Sequence, residues 1–214
     1  MRIVDIRDDY LSAAGAALAL LRDGAVVAAW EQPSALPLMT VGALTAHLSS
    51  QLTLIPGIIG ASPSEEPPIP LMQHYGQVKW RGAALDTETN TGIRDGGVAT
   101  AEAGPGAVAD SAAAALEKSR ILLSGIRATE VILVPWTGWS LRLGDFLLTR
   151  LLEIVVHSDD LTCSVGLPMP EFPVSISDRV VGLLGQLAVQ RHGLSNVVRA
   201  LARAERAPAS IAAI

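Results

Sequence analysis

The sequence is short of cysteine, aromatics and charge, and each shortage removes a class of protein. The single cysteine, Cys163, cannot close an intramolecular disulfide, nor form a CxxC metal clip or redox pair alone. Such a chain suits a reducing cytoplasm. Two Phe, four Trp and two Tyr are too few for a platform that stacks single-stranded bases. A net charge of −5 and a pI of about 5.3 provide no positive field for a nucleic-acid duplex. No apolar run approaches the ~18 residues of a membrane span. The apolar stretch over 11–21 follows Asp5, Asp8 and Asp9, where a signal peptide would carry a positive leader. These absences predict a soluble cytoplasmic protein with no nucleic-acid or membrane partner.

What the chain does have is apolar residues, 50% of the total, with 17% charged against about 25% in typical domains. That supplies a core and excludes wholesale disorder. The 32 alanines favour close-packed helices over an aromatic-rich β fold. At 214 residues, one domain is favoured over two.

Periodicity predicts one helix over the first 30 residues, with Leu11, Ala14, Leu18, Leu21 and Ala25 on one face. Pro33 and Pro37 interrupt the chain. Thr40 then caps a second helix running to about 55, ended by Pro56-Gly57. Residues 57–70 read as a surface loop. A short helix over 71–80 and a glycine-broken one over 89–102 follow. Gly104-Pro105-Gly106 punctuates before an Ala-rich helix over 107–123. Residues 130–135 are the one strand-like run. Helices over 143–163, 177–191 and 195–206 complete the chain. The expectation is an all-α bundle of four long helices with a helical tail.

The helix over 143–163 is the informative one. At seam spacing it carries Leu143, Phe146, Arg150, Glu153, His157 and Asp160, while most other positions are apolar. A helix apolar nearly all round is buried, so its polar stripe must face partners or a water-filled cavity. Glu153 and His157, four apart, share one face. They read either as an ion pair or as two ligands presented to a metal. His47 on the second helix would complete a three-ligand set of His47, Glu153 and His157, the layout of catalytic zinc with an open fourth position. His74 and His192 read as surface residues. Cys163, off the stripe, reads as buried packing.

The segment 33–48, ending in His47-Leu48, resembles the second-helix signature of the mycothiol-dependent maleylpyruvate isomerase family, members of the DinB-like metal-binding bundles. Pro135-Trp136, followed by Arg150, Glu153, His157 and Asp160-Leu161, resembles that family's other signature. The resemblance implies a DinB-like four-helix bundle over residues 1–165, with 166–214 as a short C-terminal helical extension. It implies a divalent metal, usually zinc, held by His47, Glu153 and His157, and mycothiol as the thiol cofactor. Position 43, often acidic in relatives, is Ala43 here. The full isomerase has a second domain that supplies basic residues, and only about fifty residues follow the bundle here.

Two further residues are candidates for catalysis. Arg150, three from Glu153 on the same face, would either meet a substrate carboxylate or fix Glu153, the second being favoured, and Asp160 would accept the second ring N–H of His157. The leading reading is an enzyme using zinc and mycothiol to transfer a thiol to, or isomerise, a small electrophile. A metal-dependent small hydrolase and a non-catalytic metal-binding bundle are the alternatives. The sequence is compatible with a homodimer and does not specify one.

Overall fold

The computed structural model describes residues 5–61, 64–84 and 86–214. Helix α1 (Ile6–Leu21) starts where the Asp5 carboxylate accepts the Arg7 backbone N–H at 2.9 Å. The single helix expected over the first 30 residues is divided. Asp23 takes an extended conformation and accepts the Ala25 N–H, starting a separate α2 (Gly24–Ala28). Local capping by an aspartate competes with helix continuation, and at this position it wins. Helix α3 (Val41–Thr53) begins as expected, with Thr40 Oγ1 accepting the Ala43 N–H. Pro56 does not end the helical run. It sits in the first turn of α4 (Ile55–Ile59), where a missing N–H costs nothing.

The connection to α5 (Leu71–Gln77) is tied down by Pro68, which bridges Ser140. Helix α6 (Glu88–Ala101) runs unbroken through its glycines, contrary to the sequence reading. At Gly97 the reason is contact: a Cβ there would lie 2.9 Å from the Ala43 carbonyl oxygen of α3. Gly104-Pro105 opens α7 (Gly104–Gly125) rather than preceding it. The strand-like run is β1 (Val131–Val134), and the chain then folds back as β2 (Trp139–Arg142), which the sequence reading missed. The two strands pair antiparallel, with Val131 opposite Arg142 and Val134 opposite Trp139. Strand β2 runs straight into α8 (Leu143–Val165), which stops at Gly166 in the left-handed conformation, φ 71°. Helix α9 (Val174–His192) and α10 (Leu194–Ala202) follow. The last helix ends four residues sooner than expected because Arg203 leaves helical geometry at φ −147°.

Helices α1, α3, α7 and α8 form the core of an all-α bundle. Helix α1 lies against the other three, α3 bridges α7 and α8, and α6 covers α3. Fully buried Ala13, Ala14 and Ala17 on α1 and Ala112 on α7 let the helices approach closely. The hairpin is the one sheet among the described residues. Helix α9 is pinned to α1 by Asp9, a buried carboxylate that accepts from Ser175 Oγ and Arg179 Nε, both at 2.7 Å. The C-terminal residues fold back: Arg81 Nε donates to the Ala213 carbonyl at 3.0 Å, and His192 bonds the Ala212 carbonyl at 2.8 Å. Among the described residues no helix is long and apolar enough to cross a membrane.

Candidate metal centre

Along α8 the seam changes character over three turns. Leu143 and Phe146 are fully buried, making that end of the bundle dry. Arg150, Glu153, His157 and Asp160 are half-buried. Helix α3 faces this stripe and supplies His47, whose ring packs edge-on against that of His157, with centroids 4.7 Å apart. His47, Glu153 and His157 each offer one donor atom, and these donors all lie within 4.8 Å of one another. The side chains of Glu153 and His157 are 16% and 15% exposed.

His157 is held from both sides. Its Nδ1 lies 3.0 Å from Asp160 Oδ2, and its Nε2 lies 3.1 Å from Glu153 Oε2. Burial disfavours the imidazolium. The hydrogen bonds and charges of Asp160 and Glu153 outweigh that, and the pKa rises to about 9. Burial likewise disfavours the Glu153 carboxylate, but its bond to His157 and the positive charges of His157, Arg150 and His47 hold its pKa well below the usual range. His47 goes the other way. Burial, then repulsion from His157, lowers its pKa to about 4 against the opposing pull of Glu153 and Asp160.

Arg150 does not bond Glu153, as the sequence reading had it. Its Nη1 donates to Gln51 Oε1 at 2.6 Å and its Nε to Thr149 Oγ1 at 3.1 Å. Glu153 feels it only through its charge. The guanidinium lies 5.6 Å from the Trp136 ring and 5.4 Å from the Phe146 ring, cation–π distances. Gln51, one turn after His47 on α3, therefore fixes Arg150 in the layer beside the three donors.

Three other sequence expectations change. Cys163 is exposed, not packed. His74 is buried, with Trp139 Nε1–H donating to its Nδ1 at 3.0 Å. Burial and the charge of Arg150 lower its pKa to about 4, with Glu153 opposing. Its neighbour Tyr75, also buried, escaped the sequence reading altogether. The phenol oxygen of Tyr75 is one of two buried side-chain oxygens without a hydrogen-bond partner among the described residues, the other being Ser158 Oγ. Leaving such a group unpaired costs roughly 1–3 kcal/mol. Neither His74 nor Tyr75 lies in a periodic apolar pattern, so no signal in the sequence places them inside.

Two imidazoles and one carboxylate on facing helices are a donor set that suits zinc and other divalent transition metals. Donors in a tetrahedral zinc site lie roughly 3.3 Å apart, from metal–ligand bonds of about 2.0–2.1 Å. The present set, within 4.8 Å, would draw together on binding an ion. Asp160 already orients the His157 ring as a carboxylate behind a metal-bound histidine does. The residues present therefore fit such a metal.

Fold and site together define an all-α bundle with a candidate His–Glu–His metal centre inside. The chain belongs to the family described as the mycothiol maleylpyruvate isomerase N-terminal domain, which it matches over residues 11–162. No curated protein and no solved structure matches it.

Proposed function

We propose that the protein is a zinc-dependent enzyme that uses mycothiol to transfer a thiol to, or isomerise, a small electrophilic substrate. The observation that carries this reading is the convergence of His47, Glu153 and His157, brought from more than a hundred residues apart in a chain of this family. In this reading the three residues hold the metal, Asp160 orients His157, and Arg150 is the cation that meets the substrate. A bound divalent ion supplies Lewis acidity, favouring the thiolate form of a sulfhydryl at neutral pH. Arg150 has no carboxylate within ion-pair distance among the described residues, while its Nη1 and Nε are fixed by Gln51 and Thr149. A half-buried, oriented guanidinium without a counter-ion suits a substrate carboxylate. Of the two roles the sequence offered Arg150, fixing Glu153 was favoured, and the hydrogen bonds to Gln51 and Thr149 favour the other.

The test is metal content followed by thermal denaturation with mycothiol. The zinc-loaded protein is expected to melt at a higher temperature when mycothiol is added, and the metal-free protein is not. His157→Ala should lose the metal and the mycothiol shift while keeping its far-UV circular dichroism, because the apolar bundle does not depend on one ligand. Cys163→Ser should behave as wild type, since the reacting sulfur comes from the cofactor. Zinc-loaded protein indifferent to mycothiol would sink this reading, and turnover without any thiol would point to the hydrolase.

A further inference from the structure

Between α5 and the end of α9 the fold brings two arginines together. Arg81, on the turn after α5, is half-buried, and Arg191, in the last turn of α9, is exposed. Their guanidiniums stand side by side on consecutive carbonyls of the C-terminal segment. Arg81 Nε donates to Ala213 at 3.0 Å, and Arg191 Nη1 donates to Ala212 at 3.5 Å. The Arg191 head lies over the chain next to Arg81, since a Cβ on Gly82 would be 3.5 Å from its Nη2. Among the described residues neither arginine has a carboxylate within ion-pair distance. Burial and then the charge of Arg191 lower the Arg81 pKa. Both side chains line one cavity of about 240 Å³, together with Tyr75, Gly76, Val78 and Gln190.

The two cations play unequal parts. Arg81 commits four of the five N–H donors of a guanidinium, to the carbonyls of Tyr75, Leu187 and Ala213 and to the Gln190 amide oxygen. All four acceptors are neutral, so the charge is held in place and not cancelled. Holding the C-terminal segment accounts for Arg81, and for His192, whose ring bonds the Ala212 carbonyl at 2.8 Å. It does not account for Arg191, whose longer bond to that same carbonyl is redundant. The family match ends at residue 162, so the cavity joins the matched domain to a helix beyond it, which supplies Gln190 and Arg191.

We infer that the cavity between α5 and α9 is a second ligand site, in which Arg191 closes as a two-pronged donor on a compact oxyanion, a phosphate or carboxylate group, with Arg81 as the fixed charge behind it. Two uncancelled positive charges favour a doubly charged ligand, and a guanidinium fork matches the paired oxygens of either group. The cavity keeps the ligand small, being below the roughly 300–1,000 Å³ of pockets for drug-sized molecules. The site uses none of the three metal donors and stands or falls without a metal.

The test uses the full chain, labelled with nitrogen-15 and stripped of metal by a chelator, so that zinc cannot hold the probe. Inorganic phosphate and succinate are titrated separately at constant ionic strength. At least one should shift the amide signals of Gly76 and Gly82 and the Nε–H signals of Arg81 and Arg191, saturating at millimolar concentration. The tighter probe identifies which oxyanion the site prefers, and either order supports it. Arg191→Gln should bind that probe at least about tenfold more weakly, the loss expected for a charged hydrogen-bonding partner. Its melting temperature should match wild type, because Arg191 is exposed and its one bond is redundant. Arg191→Lys, which keeps the charge and loses the fork, should fall between the two. Signals that do not saturate by about 50 mM, or shifts confined to the surroundings of His47 and Arg150, would overturn the site. Equal affinity in wild type and Arg191→Gln would do the same, whether or not the variant melts earlier, by making Arg191 a structural group.

Discussion

His157 sits between two carboxylates, and at neutral pH it stores a proton where the proposed metal would bind. With its pKa raised to about 9, it is charged at pH 7, whereas His47, lowered to about 4, is already neutral. Zinc binding at pH 7 should therefore release close to one proton, taken from His157 and not from His47. Calorimetry in buffers of different ionisation enthalpy measures that number directly. Below pH 9 the zinc affinity should rise about tenfold per pH unit, flattening near the His157 pKa. The metal-free protein should show the opposite trend. A histidine with a raised pKa contributes stability that is fully present below its ordinary value near 6.5 and is lost as the pH climbs through about 9. Its melting temperature should thus fall between pH 7 and 9, and zinc should abolish the fall.

At the scale of elements, α3 matters most, because it positions His47 and is itself positioned by two glycines. Gly42 lies under the Trp30 indole, where a Cβ would fall 2.7 Å from the ring, and Gly97 of α6 meets the Ala43 carbonyl. Gly97→Ala is expected to push α6 off α3 and to destabilise the fold by about 1–3 kcal/mol, the usual cost of overpacking. Urea unfolding reads that loss, and zinc titration should show weaker binding because α3 carries a donor. The same pair explains what the sequence could and could not say. Thr40 as a cap and the polar seam of α8 were legible, because capping chemistry and helical spacing are local. Glu153 and His157 could be read as a pair because they stand four apart on a helix apolar nearly all round, and His47 joined them only as a histidine on the second helix. Gly97 was misread as a helix breaker because its role is a contact with another helix, which no local pattern records. Strand β2 was missed because Trp-Ser-Leu-Arg is too short to show alternation. The segment 71–77 gave no hint that His74 and Tyr75 are inside, since the hairpin and α9 do the burying.

Across the whole molecule, Arg81 joins parts that are remote in sequence. Its guanidinium donates to the carbonyls of Tyr75, Leu187 and Ala213 and to the side chain of Gln190, tying α5, α9 and the C-terminal residues together. Arg81→Ala should lower the melting temperature by several degrees and expose residues 207–214 to limited proteolysis, with zinc stoichiometry unchanged. A protease pattern identical to wild type would show that the C-terminal segment is held by Ile211 and Ala213 packing instead. The placement of the three donors has its own consequence at this scale. A metal shared by His47 and the Glu153–His157 pair would close a loop of more than a hundred residues, with α4 to α7 and the hairpin entirely inside it. In polymer terms this is a cross-link, and one of that span removes unfolded-chain entropy worth roughly 4–5 kcal/mol in the loop-closure picture. Unlike a disulfide, such a staple needs no cysteine and no oxidant, and a chelator or a drop in pH reverses it. For a chain with a single thiol, it is a cross-link available where an internal disulfide is not.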